Sequence, residues 1–132
     1  MKDNLLRKLL LLDGAVLLIL GAFLIVAPKQ TEVVFQFGDL PRGVSYIIGL
    51  WGCGLATMGL GYGMAAADPR RNVAWVQVGI ARGLLECVVG VAYLARGIVT
   101  LQQAGFGIAI AAFITVAYIA LYPPRPALQS HA

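Results

Sequence analysis

The chain has 132 residues, of which 60% are apolar and only 12% are charged, and its mean hydropathy is +0.84. A water-soluble domain of this size carries about 25% charged and ~45–50% apolar residues. The composition therefore excludes an ordinary soluble domain, and no polar stretch reaches the ~50 residues that a separate one needs. Four membrane-crossing helices of ~20 residues each fit the length, with about 50 residues left for ends and loops.

Four apolar runs, taken in chain order, predict four transmembrane helices. They cover residues 9–27, 44–67, 73–95 and 105–122, and the breaks between them carry prolines or charges. In lipid, only helices and closed barrels satisfy their backbone, and these runs lack the alternation of a barrel strand. We therefore expect an all-α fold with one integral membrane domain over residues 1–132. It is a four-transmembrane-helix bundle that ends in a proline-rich tail over residues 123–132.

Lysine and arginine are unevenly divided between the two sets of span ends. Six lie at the amino end, in the loop between the second and third spans, and in the tail, whereas three lie in the other two loops. Because cytoplasmic loops carry the excess of positive charge, we expect both termini in the cytoplasm. The net charge of +4 then reflects topology, and we expect no nucleic-acid partner.

The loop between the first two spans, residues 29–42, is too apolar for a free linker. Its sequence, KQTEVVFQFGDLPR, places two valines and two phenylalanines within five positions. We expect it to lie in the membrane interface as a connector. The alternative is a lid that folds over the mouth of the bundle.

A weak internal repeat relates the first and third spans at an offset of 69 residues. The matched pairs are Gly14 with Gly83, Gly21 with Gly90, and Asp13 with Arg82. Glycines seven positions apart mark one helix face in each span. The pattern is consistent with two repeated helical hairpins related in a parallel sense.

Small residues recur at helical spacing in the second and third spans. The set that we expect in helix–helix contacts is Gly52, Ala56, Gly59, Gly63, Gly79, Gly83 and Gly90. Small faces let backbones approach closely, which drives helix association in lipid. We expect these small faces first of all to pack helices together within the bundle. A small face that is not used there would bind a second copy of the chain or another membrane subunit.

Three ionisable residues inside the spans form a candidate polar cluster: Asp13, Arg82 and Glu86. A charge at a helix centre costs ~2.5–3.5 kcal/mol on insertion scales, so such residues are usually paired. Arg82 and Glu86 are four apart, hence neighbours of opposite charge on one face. In one interpretation they pair with each other, while Asp13 reaches the interface or Lys8. In the other, the first and third helices pack side by side and Asp13 joins Arg82.

The aromatic and cysteine residues have structural interpretations. Most tyrosines and tryptophans, with Tyr62 and Trp75 among them, lie near span ends, where aromatic belts form. Cys53 and Cys87 are equidistant from the turn at residue 70, so an antiparallel hairpin places them at similar depth. A disulfide is conceivable there, but small packing residues are the expectation.

Motifs that carry enzymatic chemistry are not found in this sequence. His131 is the one histidine, the serines lack a neighbouring base, and neither a zinc spacing nor a phosphate-binding loop occurs. We expect no enzyme, no catalytic residue, no metal and no cofactor. Membrane lipid, other membrane subunits and the chain itself are the expected partners.

The chain resembles DoxX-like and related small four-helix bacterial membrane proteins in three features. These are the paired apolar hairpins, the glycine-spaced first span ending in Ala27-Pro28, and the turn Asp68-Pro69-Arg70-Arg71-Asn72. This resemblance is one of pattern, and it transfers no functional residue. The function expected first is that of a non-enzymatic structural or accessory subunit in a membrane complex or homo-oligomer. The alternative is a small transporter or channel, or a lipid- or quinone-binding protein, that uses the polar cluster.

Overall fold

The computed structural model describes residues 1–124, so most of the predicted tail over 123–132 lies outside the described residues. This part of the chain holds five α-helices: α1 Lys2–Val26, α2 Pro28–Val34, α3 Arg42–Ala65, α4 Val73–Ala95 and α5 Leu101–Ala120. All except α2 are long and apolar enough to cross a membrane. The prediction of an all-helical chain with four such helices is confirmed.

Local sequence explains where the helices begin and end. Pro28 occupies the first turn of α2, where a missing N–H is harmless, and it separates α1 from α2. Pro41 is the N-cap residue of α3, with extended backbone (ψ 143°), so it lies just outside that helix. At α5, Thr100 and Gln103 form a reciprocal capping box, in which each side chain accepts a hydrogen bond from the other residue's backbone N–H. α5 consequently begins four residues before the predicted span.

The turns between the long helices are also determined by single residues. Between α3 and α4, the Asp68 carboxylate accepts from the Arg71 N–H at 3.2 Å. After α4, Gly97 adopts φ +69°, and the amides of Gly97 and Ile98 bond back to carbonyls of the last helical turn. This is the Schellman arrangement, which favours glycine because a Cβ is strained at positive φ.

α1 and α3 form a tightly packed antiparallel pair with glycine on both sides of the contact. A Cβ built on Gly59 would lie 2.7 Å from the Gly14 carbonyl oxygen, and one on Gly52 would lie 2.7 Å from that of Gly21. The two backbones therefore touch at two levels. Such close approach gives the dispersion contacts that replace the hydrophobic driving force in lipid.

α4 and α5 form the second antiparallel pair, but here side chains of α5 fill notches at glycines of α4. Gly79 lies against the Tyr118 ring, Gly83 against Thr115, and Gly90 against Ile108. The glycines matched by the 69-residue offset thus all lie in contacts within a helix pair. The repeat itself stays a prediction.

The two pairs meet mainly at one end of the bundle, and contacts between the pairs are far fewer than contacts within them. At that end Tyr62 of α3 packs edge-on against Trp75 of α4, with ring centroids 5.6 Å apart. The amino end of α1 joins the α3–α4 turn there through an Asp3–Arg70 ion pair of 2.6 Å. The hydrogen bond to Asp3 and its charge raise the pKa of Arg70 above the ordinary value.

At the opposite end the pairs diverge and leave a cleft of about 570 Å³. α2 and the segment that follows it line this cleft together with the facing ends of α3, α4 and α5. The loop that was expected to be an interfacial connector therefore contains a helix and forms part of a cavity wall.

Candidate functional site

Asp13 is the centre of a polar cluster to which all four long helices contribute. It lies midway along α1, and only 3% of its surface is exposed. Its oxygens accept hydrogen bonds from Arg82 Nη2 of α4 at 2.9 and 3.1 Å, and Oδ2 also accepts from the Tyr118 hydroxyl of α5 at 2.9 Å. A buried carboxylate is thereby both neutralised and hydrogen-bonded, as such a charge requires.

Arg82 has three kinds of neighbour. Besides Asp13, its Nε lies 3.5 Å from Glu86 Oε1, and its guanidinium carbon lies 5.3 Å from the centroid of the Tyr62 ring. The second distance is within the range of a cation–π interaction. Its Nη1 is buried and has no hydrogen-bond partner among the described residues. Arg82 thus connects α1, α3 and α4 through one side chain.

This geometry decides between the two interpretations of the charges. The expectation that Asp13 reaches the interface or Lys8 is wrong, because Asp13 is buried and binds Arg82. The alternative, in which Asp13 joins Arg82, is the arrangement found. Glu86 still pairs with Arg82, but at a longer distance. The structure therefore brings Asp13, Arg82 and Glu86 together.

Glu86 differs from Asp13 in its surroundings. Its side chain is 48% exposed, against 11% for that of Arg82 and 2% for that of Asp13. Two carboxyl groups share one guanidinium here. Because Asp13 lies closest to Arg82, Glu86 is the carboxylate that is left only partly compensated, and it faces outward from the middle of α4.

The two tyrosines of the cluster were missed as site residues. Tyr62 was assigned to an aromatic belt, but it is fully buried, and it packs against the ring of Tyr118 at 6.2 Å between centroids. Its hydroxyl has no partner among the described residues. One signal was available for Tyr118: it stands inside a mostly apolar run, where a tyrosine hydroxyl needs an acceptor when it is buried.

The predicted packing residues fall into two groups. Gly52, Ala56 and Gly59 lie against α1, and Gly79, Gly83 and Gly90 lie against α5. Gly63 is different: its backbone nitrogen lies 3.4 Å from the position of a Cβ on Gly14, but a Cβ on Gly63 itself would meet nothing within 4 Å. Enlarging Gly63 therefore does not obstruct the α1–α3 contact.

The cysteines are not bonded to each other. Cys53 is exposed on α3. Cys87 is half-buried, and its sulfur lies 3.8 Å from the Ile108 carbonyl oxygen of α5. A disulfide between the two is absent from this structure.

The arrangement as a whole is a buried ion pair, fixed by a tyrosine hydroxyl, at the place where two helix pairs meet. It links α1 to α4 and α5 at one level of the bundle. Comparison with known proteins adds nothing to this geometry: no family model, no curated protein and no solved structure matches the chain.

Proposed function

We propose that this chain is a non-enzymatic integral membrane protein that serves as a structural or accessory subunit, within a larger membrane complex or a homo-oligomer. The observation that supports this most is the Asp13–Arg82–Tyr118 network. It pairs a buried carboxylate with a guanidinium and joins the two helix pairs. An apolar bundle of this kind is suited to packing beside other helices. The bacterial inner membrane, with both termini in the cytoplasm, is its proposed location.

The outward surface of α3 offers a place for such a contact. Six of the seven predicted packing residues lie against α1 or α5, but Cys53, Gly54 and Thr57 are exposed next to one another. A Cβ on Gly54 would meet nothing within 4 Å in the isolated chain. Another transmembrane helix can therefore approach α3 closely at this level, as small faces permit.

The test is the mass of the particle extracted from its native membrane in a mild detergent, with all co-migrating proteins identified. We expect a stable particle larger than the monomer, which Gly54→Leu reduces to the monomer. Ala112→Leu, an equally exposed change on α5, is the control and leaves the particle intact. A wild-type protein that is monomeric and without partners contradicts the proposal.

A second candidate function is a small transporter or channel, or a lipid- or quinone-binding protein, in which the cluster contacts the ligand. The specific observation in its favour is Glu86, a half-exposed and only partly compensated carboxylate in the middle of α4. Intramembrane carboxylates in this setting are typical of ion and proton pathways. The resemblance to DoxX-like proteins is a hypothesis compatible with either candidate.

Glu86→Gln separates the two candidates. A structural subunit keeps its assembly and its stability, because the amide remains beside Arg82. A proton pathway loses flux into proteoliposomes, measured with an entrapped pH-sensitive dye, while assembly is unchanged. The wild-type protein and empty vesicles are the references. A wild-type flux no greater than that of empty vesicles excludes the proton pathway.

A further inference from the structure

The cleft between the outer ends of the two helix pairs is separate from the Asp13 cluster and shares no residue with it. Its side walls are formed by Ile48 and Trp51 of α3 and by Val89 and Tyr93 of α4. Phe35 and Phe37 close it at the end where α2 lies. Its volume of about 570 Å³ falls within the range of small-molecule sites, ~300–1,000 Å³.

Of the polar side chains that line the cleft, Thr31 and Gln103 are engaged elsewhere, whereas Glu32 places a carboxylate in the lining. The Thr31 hydroxyl donates to the Ala27 carbonyl at 3.1 Å. The Gln103 amide donates to the Gln36 carbonyl at 2.9 Å and accepts from the Thr100 N–H at 2.9 Å. What remains toward the interior is aliphatic and aromatic surface. An occupant must therefore be apolar over most of its length.

Water is a poor occupant for such a cavity. A buried water needs two to four polar partners, and large apolar cavities stay dry. An empty cavity is also unfavourable, because its lining atoms lose their dispersion contacts. At this depth in a bilayer the surrounding solvent is hydrocarbon. Trp51 and Tyr93 are each about half-exposed, so the cleft opens sideways to that solvent.

We propose that this cleft binds one acyl chain of a membrane phospholipid. The charges near its mouth favour a phospholipid over a neutral isoprenoid. Lys29, Arg42 and Arg96 are exposed, and each lies within one helical turn, along the chain, of a residue that lines the cleft. Two carboxylates share this mouth, Glu32 in the lining and Asp39 beside Leu40, so the three cations exceed them by one. Cations at that level suit a phosphate group, while the chain attached to it enters the apolar interior. The proposal rests on insertion of the bundle in a bilayer, but not on either candidate function.

The test uses protein purified from washed membranes, delipidated in a nonionic detergent and titrated with dioleoylphosphatidylcholine, with bound lipids counted by native mass spectrometry. Val89→Trp places a large ring in the cleft. Val88→Trp is the matched control: it is the adjacent residue, is exposed on the same helix, and does not line the cleft. Recovery in the membrane fraction reports insertion, and a symmetric gel-filtration peak reports folding. Both are measured separately from lipid binding.

We expect the wild type and Val88→Trp to retain one lipid before any others bind, and Val89→Trp to weaken that first binding roughly tenfold. Equal retention by all three proteins overturns the proposal. So does a wild type that takes up lipids with no preferred first molecule. A third overturning result is a preference for decylubiquinone, titrated in parallel, over the phospholipid.

Discussion

At the scale of single residues, the cluster is built around one carboxylate that has two donors. Asp13 lies where hydration is unavailable, so its charge is tolerated only through Arg82 and Tyr118. Arg82 in turn depends on Asp13, since Glu86 is more distant and half-exposed. Removing one group of the ion pair should therefore destabilise the fold more than removing both groups together. This reciprocity can be tested by paired substitutions.

Arg82→Leu should lower the free energy of unfolding by about 3–5 kcal/mol, because it leaves Asp13 buried and unpaired. The double change Asp13→Leu with Arg82→Leu should recover most of that loss, since the charges leave together. Unfolding in mixed detergent micelles measures both. A double variant that is less stable than Arg82→Leu alone would refute the pairing.

The two buried tyrosine hydroxyls should respond in opposite ways to removal. Tyr118→Phe deletes a donor to a buried carboxylate and should cost about 1.5–3 kcal/mol. Tyr62→Phe deletes a hydroxyl that has no partner among the described residues, and should be neutral or stabilising. Both variants keep the ring, so packing is matched. If Tyr62→Phe destabilises as much as Tyr118→Phe, its hydroxyl has a partner that the structure does not include.

How far the sequence predicts this site depends on the range of each interaction. The Arg82–Glu86 pair follows from helical spacing alone. The Asp13–Arg82 pair joins residues 69 positions apart and was one of two open alternatives. Tyr118 lies 105 positions from Asp13, and no local pattern specifies which way its ring points. The site residues that were missed are those whose role depends on the rotation of one helix against another.

At the scale of helices, the α1–α3 contact depends on the direction in which each glycine faces. Gly59→Ala places a methyl group against the Gly14 backbone and should cost about 1–3 kcal/mol through overpacking. Gly63→Ala, one turn away, meets open space and should be neutral or stabilising by up to ~1 kcal/mol. Unfolding of the two variants in parallel measures the difference. Equal destabilisation would mean that the helices pack in another rotation.

A single hydrogen bond ties the segment after α2 to α5. Gln103 donates to the carbonyl of Gln36, a non-glycine residue at φ 57°. Gln103→Glu keeps the acceptor that caps α5 but removes this donor. It should increase amide hydrogen exchange across residues 31–37, whereas the neighbouring change Gln102→Glu should not. Unchanged exchange in both variants would show that the hydrogen bond does not hold the segment.

The four long helices were predictable because their apolar runs are long and end at prolines and charges. α2 was not, because seven residues are too few to show a period and its valines were interpreted as interfacial. The cleft is equally invisible to local pattern, since it arises from the divergence of two helix pairs. The sequence showed that glycines recur on helix faces, but it did not predict which of these faces contact another helix of the bundle.

At the scale of the whole molecule, the two ends of the described chain lie on the same side of the bundle. Asp3 pairs with Arg70 there, and Gln77 of α4 donates to the Tyr122 hydroxyl at 2.8 Å. The basic residues of this side outnumber those of the other. We expect this side to face the cytoplasm.

A fluorescent-protein fusion at the carboxyl end should therefore be bright in a bacterial host, and an alkaline phosphatase fusion there should be inactive. The reciprocal control places the same reporters in the loop between α1 and α3, where the phosphatase should be active. An active phosphatase at the carboxyl end would reverse the proposed topology.

The polar cluster lies midway along α1, so a change in the angle between the helix pairs at the cluster displaces their outer ends the most. The pairs are fastened near Asp13, and from there α1 continues to Val26, a length of roughly 20 Å at 1.5 Å per residue. A rotation of about 10° around that fastening would shift the far ends by roughly 3 Å, comparable to the radius of a hydrocarbon chain. A small displacement at the Arg82 contact would thus become a larger one at the opposite end of the bundle. Because few other contacts join the helix pairs, the Asp13–Arg82 ion pair limits how far those ends can separate.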